Sequence, residues 1–178
     1  MSKQYDVYLA SPLFCEYDNK ILDIVEGICQ KLGLTYFSPR HDSKIDLRSA
    51  KTPAEKDALA QKIFELNDHA VSNSTLILTH VIGTRWNNAI YCDAGTMVEA
   101  GLAFAKNIPV LTYNFEKYGL NIMLSQKVVY HCDNTTFEDY SELEKSLFNA
   151  FKLIKDENIT DPANLRTALF QVKDRDLY

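Results

Sequence analysis

The chain has 178 residues, a formal net charge of −5 and 46% hydrophobic residues, values that are ordinary for one globular domain. The acidic balance disfavours binding to nucleic-acid phosphates, which requires clustered Lys and Arg. No apolar run reaches the roughly 18 residues of a membrane span, and no charged-then-apolar leader opens the chain. We therefore expect a cytoplasmic protein that binds neither nucleic acid nor a membrane.

Strand and helix signals alternate along the chain. Short apolar runs predict strands at residues 5–10, 34–37, 75–81, 110–113 and 128–131. Apolar residues at helical spacing predict helices near residues 21–32, 53–70, 95–106 and 140–154. This alternation favours a flavodoxin-like α/β fold, a doubly wound sheet of about five mainly parallel strands with helices on both faces. We treat residues 1–178 as a single domain with a polar tail from about residue 155.

Three local signals sharpen these boundaries. Thr52 is predicted to cap a helix whose first turn contains Pro53, and Gly33 is predicted to end the first helix. Residues 40–52 are polar and are interpreted as a surface loop. Ligands of such sheets bind beyond the carboxyl ends of the strands, so the loops after the first, third and fourth strands are the places to search.

The segment 93–101 (DAGTMVEAG) carries two acids in a stretch that is otherwise small and apolar. Asp93 precedes the predicted helix, so its side chain is free to turn back into a pocket. Two carboxyls in one pocket suit glycosidic chemistry, in which one attacks the anomeric carbon and the other protonates the leaving group. A structural role fits the spacing equally well, with Glu99 in a buried salt bridge and Asp93 as a helix cap.

Five short motifs in order resemble those of the nucleoside 2-deoxyribosyltransferase family. They are residues 7–14 (VYLASPLF), Asn67-Asp68 followed by residues 71–75 (VSNST), the D-x-G-x-x-x-E-x-G pattern of residues 93–101, residues 121–123 (NIM), and the final Tyr178. Each motif alone is weak, but the set spans the whole chain. The resemblance implies transfer of a 2-deoxyribosyl group from a 2′-deoxynucleoside to a free nucleobase, in nucleoside salvage, without metal or cofactor.

The same resemblance implies roles for particular residues. Glu99 matches the nucleophile that forms a covalent glycosyl ester, Asp93 and Asp68 match acids that face the base, and Tyr8 matches the phenol that orients the nucleophile. Further substrate contacts are expected from Ser11, Phe14, Gly95, Asn121, Met123 and Tyr178. The gap between Asp68 and the following motif is one residue shorter than the family pattern, so Asn67 is an alternative to Asp68 at the base-side position.

Asn121 and Met123 match residues that complete the sugar pocket of a neighbouring subunit. The resemblance therefore implies a homo-oligomer built from dimers, such as a hexamer, whose monomer is inactive. The sequence does not decide between purine and pyrimidine bases.

Two other functions remain open at this stage. One is an N-glycosidase of the same fold that acts on nucleoside 5′-monophosphates, for which Arg85 is the nearest candidate to bind a phosphate. The other is a non-catalytic nucleotide-binding module in which Glu99 only contacts ribose hydroxyls. The absence of a Gly-rich phosphate loop favours a nucleoside over a nucleotide.

Overall fold

A computed structural model describes residues 3–81, 85–86, 89–90, 93–115, 120–133 and 135–175. Its strands are β1 (Tyr5–Ala10), β2 (Tyr36–Phe37), β3 (Ser74–His80), β4 (Arg85–Trp86), β5 (Ala89–Ile90), β6 (Val110–Tyr113) and β7 (Tyr130–Cys132). Its α-helices are α1 (Glu16–Lys31), α2 (Pro39–Asp42), α3 (Pro53–Ser72), α4 (Ala94–Ala105), α5 (Ile122–Ser125), α6 (Ser141–Asp156) and α7 (Pro162–Arg175).

Five strands form a parallel sheet in the order β2-β1-β3-β6-β7. Helices α1, α6 and α7 cover one face, where their apolar side chains join Val7, Leu9 and Leu78 in the larger core cluster. Helices α3 and α4 cover the other face around Tyr8 and Ile77. The predicted α/β sheet with helices on both faces is thus confirmed. A separate two-stranded ribbon pairs β4 with β5 antiparallel.

The capping predictions are borne out at both helices. The Thr52 hydroxyl accepts a hydrogen bond from the backbone N–H of Glu55, while the Glu55 carboxylate accepts the N–H of Thr52. Gly33 follows α1 with a φ of 66°, a conformation that favours glycine. Helix α1 begins earlier than its apolar stripe indicated, because the Asp18 carboxylate accepts the N–H groups of Phe14 and Cys15.

Three segments differ from the sequence-based expectation. The loop expected at residues 40–52 contains part of α2 and a 3₁₀ turn over Leu47–Ser49, because Asp42 and Asp46 accept backbone N–H groups there. The expected stripe of α3 is buried only at its C-terminal end, since Leu59, Ile63 and Leu66 are half-buried. The polar tail folds into α7, which buries Leu165 and Leu169 in the core.

Among the described residues, no helix combines the length and the apolar character that are needed to cross a bilayer.

Candidate active site

Tyr8 and Glu99 meet at the face of the sheet that α3 and α4 cover. Glu99 lies on α4 one turn after buried Thr96 and one turn before buried Ala103, so its side chain is directed toward the sheet. Tyr8 lies in the middle of β1 and is fully buried. Its hydroxyl donates a 2.6 Å hydrogen bond to Oε1 of Glu99. The phenol–carboxylate pair that the resemblance implied is therefore present.

Asn67 adds a second donor to the same oxygen. It lies near the end of α3, and its Nδ2 donates to Oε1 of Glu99 at 3.1 Å. Both donors use Oε1, and Oε2 of Glu99 forms no hydrogen bond with the described part of the chain. The described structure thus holds the carboxylate by one of its two oxygens.

The environment of Glu99 raises its pKa to about 7. Burial is the main cause, and the hydrogen bond from Tyr8 acts in the opposite direction; the nearby charge of Asp93 raises the pKa further and the bond from Asn67 lowers it. The pKa of Tyr8 lies well above its usual range, because its hydroxyl is buried beside Glu99. Near neutral pH, Tyr8 therefore remains a hydrogen-bond donor while Glu99 titrates.

Asp93 fills one of the two roles that its sequence position left open, that of a helix cap. Its Oδ2 caps α4 by accepting the backbone N–H and the hydroxyl of Thr96, both at 2.7 Å, and its charge acts on Glu99. Gly95 leaves room for this carboxyl, because a Cβ at that position would lie 3.2 Å from Oδ2 of Asp93, a tight contact. The Asp-x-Gly spacing thus folds the carboxyl over the start of the helix.

Phe37 backs the site from the neighbouring strand. Its ring lies 5.4 Å from that of Tyr8 with an interplanar angle of 9°. The residues that follow are fixed to α1, because the Ser38 hydroxyl donates to Glu26 at 2.7 Å and Arg40 forms a 2.8 Å ion pair with the same carboxylate. Tyr8 is therefore held between its hydrogen bond and a rigid aromatic neighbour.

The structure places Asp68 apart from this cluster. Its carboxylate lies 3.2 Å from Nζ of Lys106, which follows the C-terminal end of α4. Successive residues on a helix point about 100° apart, so only one of Asn67 and Asp68 can face Glu99. Asn67 does so.

Ser11 and Phe14 follow β1, and their side chains form no hydrogen bond with Glu99 in the described structure. Ser11 is buried, and its hydroxyl donates to the carbonyl of Pro12 at 3.2 Å. The side chain of Phe14 is 74% exposed. Both residues are near the carboxyl end of β1, where ligands of parallel sheets bind.

Asn121 precedes α5 and Met123 lies on it, and neither forms a hydrogen bond with Glu99 in the described structure. Asn121 caps this short helix by accepting the N–H of Met123 at 2.9 Å. Met123 is 78% exposed, and its neighbour Ile122 is 76% exposed. Tyr178 and the side chain of Arg85 lie outside the described residues.

Sequence reasoning missed two supporting residues, Phe37 and Thr96. The sequence of a two-residue strand does not indicate that the Phe37 ring stacks on Tyr8, because this contact depends on β2 lying next to β1 in the sheet. Thr96 carried a readable signal, since it follows Asp93 by three residues, the spacing of a helix cap. Among the described residues, no group of three or more His, Cys, Asp or Glu side chains is arranged to hold a metal ion.

Comparison with known proteins agrees with this fold. The family model described as Nucleoside 2-deoxyribosyltransferase matches residues 7–149. No curated protein sequence matches the chain. Among solved structures, the chain is similar to a 2-deoxyribosyltransferase of Bacillus psychrosaccharolyticus, with 22% identity, a TM-score of 0.61 and coverage of 78% of this chain and 89% of that one.

A second solved structure shares the fold at lower similarity. It is the CMP N-glycosidase BcmB of Clostridium botulinum, with 13% identity, a TM-score of 0.52 and coverage of 78% of this chain and 97% of that one. The family match covers most of the sequence, including Tyr8, Asn67, Asp93 and Glu99. The chain belongs to the nucleoside 2-deoxyribosyltransferase family.

Proposed function

We propose that the protein transfers the 2-deoxyribosyl group of a 2′-deoxynucleoside to an acceptor nucleobase through a covalent ester on Glu99. Tyr8 and Asn67 both donate hydrogen bonds to Oε1 of Glu99, and Oε2 has no partner among the described residues. This observation carries the proposal. A carboxylate fixed by one oxygen is suited to attack with the other. The family match supports this chemistry for the chain as a whole.

In the first half-reaction, Oε2 of Glu99 forms a bond to C1′ as the C1′–N bond to the donor base breaks. The electron pair of that bond moves to the base nitrogen, which is a poor leaving group unless the base is protonated. We assign this proton to Asp93, which takes it up as the donor binds and then passes it to the base. Its Oδ1 forms no hydrogen bond with the described residues, whereas Oδ2 is occupied by Thr96.

In the second half-reaction, a nitrogen of the acceptor base attacks C1′ and the ester bond to Oε2 breaks. The electron pair returns to Glu99, and the acceptor gives its proton to Asp93. Two displacements at one carbon retain the stereochemistry of the sugar and give ping-pong kinetics. Such a transfer would serve nucleoside salvage, and no step in it calls for a cofactor.

We assign the base-side position next to Glu99 to Asn67 and place Asp68 outside the site. The supporting observations are the 3.1 Å bond from Asn67 to Glu99 and the 3.2 Å ion pair of Asp68 with Lys106. Ser11, Phe14, Gly95 and Tyr178 are proposed substrate contacts on the family resemblance alone.

We further propose that Asn121 and Met123 complete the site of a neighbouring copy. Met123 and Ile122 are more than three-quarters exposed on a short helix that is stabilised by its Asn121 cap. Apolar side chains presented in this way are typical of a surface that another chain covers. On this proposal, dilution to a monomer abolishes transfer, which sizing and activity measured over one concentration series will test.

The test of the transferase is product analysis with wild type and Glu99→Gln. Deoxyinosine is incubated with cytosine or adenine, deoxythymidine is used as a donor in parallel, and the products are separated by chromatography. Intact-protein mass spectrometry of wild type with donor alone looks for one added deoxyribosyl group. Glu138→Gln, on an exposed residue before α6, serves as the matched control.

A new deoxynucleoside formed by wild type and by Glu138→Gln, but not by Glu99→Gln, is the expected result. Release of free base from a nucleoside monophosphate, without a new nucleoside, would overturn the proposal in favour of the N-glycosidase. Nucleotide binding without turnover that survives Glu99→Gln would instead indicate the non-catalytic module.

A further inference from the structure

We propose that Asn67 is a positioning residue for Glu99. The amide of Asn67 favours the ionised form of the Glu99 carboxylate and orients it so that Oε2 faces the substrate. This inference deepens the proposed function and rests on it. It concerns the regulation of the same site by pH.

The geometry fixes the orientation of the Asn67 amide. Its Nδ2 lies 3.1 Å from Oε1 of Glu99. The reversed amide would place Oδ1 against Oε1, and two acceptors at that distance repel each other unless a proton lies between them. The amide therefore matches an ionised Glu99 and disfavours a protonated one.

Few other groups stabilise the charged form of Glu99 against the cost of its burial. Burial and the charge of Asp93 both favour the protonated carboxyl, and only the hydrogen bonds from Tyr8 and Asn67 favour the charged form. The Oδ1 atom of Asn67 is itself buried without a hydrogen bond in the described structure. The chain thus retains a costly buried acceptor in order to place a donor on Glu99.

A carboxyl at this position would have the opposite effect on Glu99. An acid at position 67 would place a second carboxyl about 3 Å from the nucleophile, and two carboxyls at such a distance share one proton. Glu99 would then be protonated over a wider pH range. Because an amide has no proton to give the base, Asn67 also leaves Asp93 as the acid of the site.

The test compares Asn67→Asp and Asn67→Ala with wild type. Carbon-13 NMR of the labelled glutamate carboxyls follows the titration of Glu99, which is identified by its absence in Glu99→Gln. The acidic limb of the kcat/KM profile is measured in parallel. Asn164→Asp, which adds the same charge on an exposed residue of α7, is the control. Circular dichroism establishes that each variant is folded.

We expect the titration midpoint of Glu99 and the acidic limb to move to higher pH, by about one unit in Asn67→Asp and less in Asn67→Ala. We expect neither to move in Asn164→Asp. Folded variants with an unchanged midpoint would overturn the inference, even if their kcat falls, because a merely structural role changes activity without moving the titration. A shifted midpoint in a chain that transfers no deoxyribose would overturn the proposed function and leave the electrostatic role of Asn67 intact.

Discussion

Phe37 lies almost flat against Tyr8, with ring centroids 5.4 Å apart and planes 9° from parallel. Tyr5 packs edge-on against Phe37, with ring centroids 5.4 Å apart. A tyrosine on a strand retains some freedom in its side-chain torsions unless neighbours remove it. The two aromatic contacts therefore help to hold the Tyr8 hydroxyl at its 2.6 Å distance from Glu99.

Phe37→Leu is expected to lower both stability and turnover. Loss of the stacked ring should reduce the free energy of unfolding by roughly 1–3 kcal/mol. It should lower kcat by about tenfold, since the Tyr8 hydroxyl gains freedom. Denaturant unfolding and steady-state kinetics measure the two effects. Phe148→Leu, on a residue of α6 that is 52% exposed, should change neither, and equal effects in the two variants would contradict the positioning role.

Tyr8→Phe should lower kcat/KM by about 10- to 100-fold and move its acidic limb to higher pH. The hydroxyl lowers the pKa of Glu99 through its hydrogen bond, so its removal leaves the carboxyl protonated over a wider range. The pH dependence of kcat/KM is the measurement. Tyr5→Phe removes a hydroxyl that contacts only Gln4 in the described structure, and it should leave the profile in place.

Glu99→Gln should be more stable than wild type above neutral pH. The pKa of Glu99 is about 7 in the folded protein, against an ordinary value of 4.5 for glutamate. The folded state therefore binds the proton more tightly, and wild type loses stability as the pH rises through this window. The advantage of Glu99→Gln should grow by about 2–3 kcal/mol between pH 5 and pH 8. If the two proteins differ by the same free energy of unfolding at every pH in this range, the raised pKa is refuted.

His80 should produce the opposite pH dependence. Its ring is buried, stacks on Tyr113 at 5.2 Å, and forms no hydrogen bond with the described residues. Burial lowers its pKa to about 4 from 6.5, although Asp18 acts in the opposite direction. As the pH falls, the unfolded state therefore takes up this proton before the folded state does. The free energy of unfolding decreases as the pH falls below 6.5.

His80→Phe should remove this acid sensitivity. Wild type should lose about 2 kcal/mol through His80 between pH 7.5 and pH 5, and the variant should not. Denaturant unfolding at the two pH values tests the difference. His69→Phe, on an exposed histidine of α3 whose ring contacts only the Asn73 amide in the described structure, is the control and should keep the wild-type dependence. Protonation of Glu99 stabilises the folded state over part of the same pH range. The free energy of unfolding of wild type alone should therefore change little with pH.

The sequence predicted the fold well because its main signals are local. The strand at residues 5–10 and the strand at residues 110–113 match their predicted bounds, and each is a short apolar run. The capping pair of Thr52 and Glu55 lies within four residues of chain. For the polar tail the sequence allows an extended or a partly helical segment, and α7 is the helical alternative, with Leu165 and Leu169 buried.

The site was harder to predict than the fold because its contacts are not local. The approach of Tyr8 to Glu99 was expected through family resemblance, not through spacing. The choice between Asn67 and Asp68 depends on the rotation of α3 about its axis, which adjacent residues in a weakly amphipathic helix do not reveal. The stacking of Phe37 depends on β2 being the neighbour of β1, a property of strand order.

The hydrogen bond between Tyr8 and Glu99 joins residues that are 91 positions apart in the chain. Contacts of such long sequence separation form late, because the loop between them must close before they contribute. Helices can thus appear during refolding while the nucleophile still lacks its donor. Regain of catalytic activity in a refolding experiment therefore reports the completed topology, and it should lag behind the recovery of helical circular dichroism.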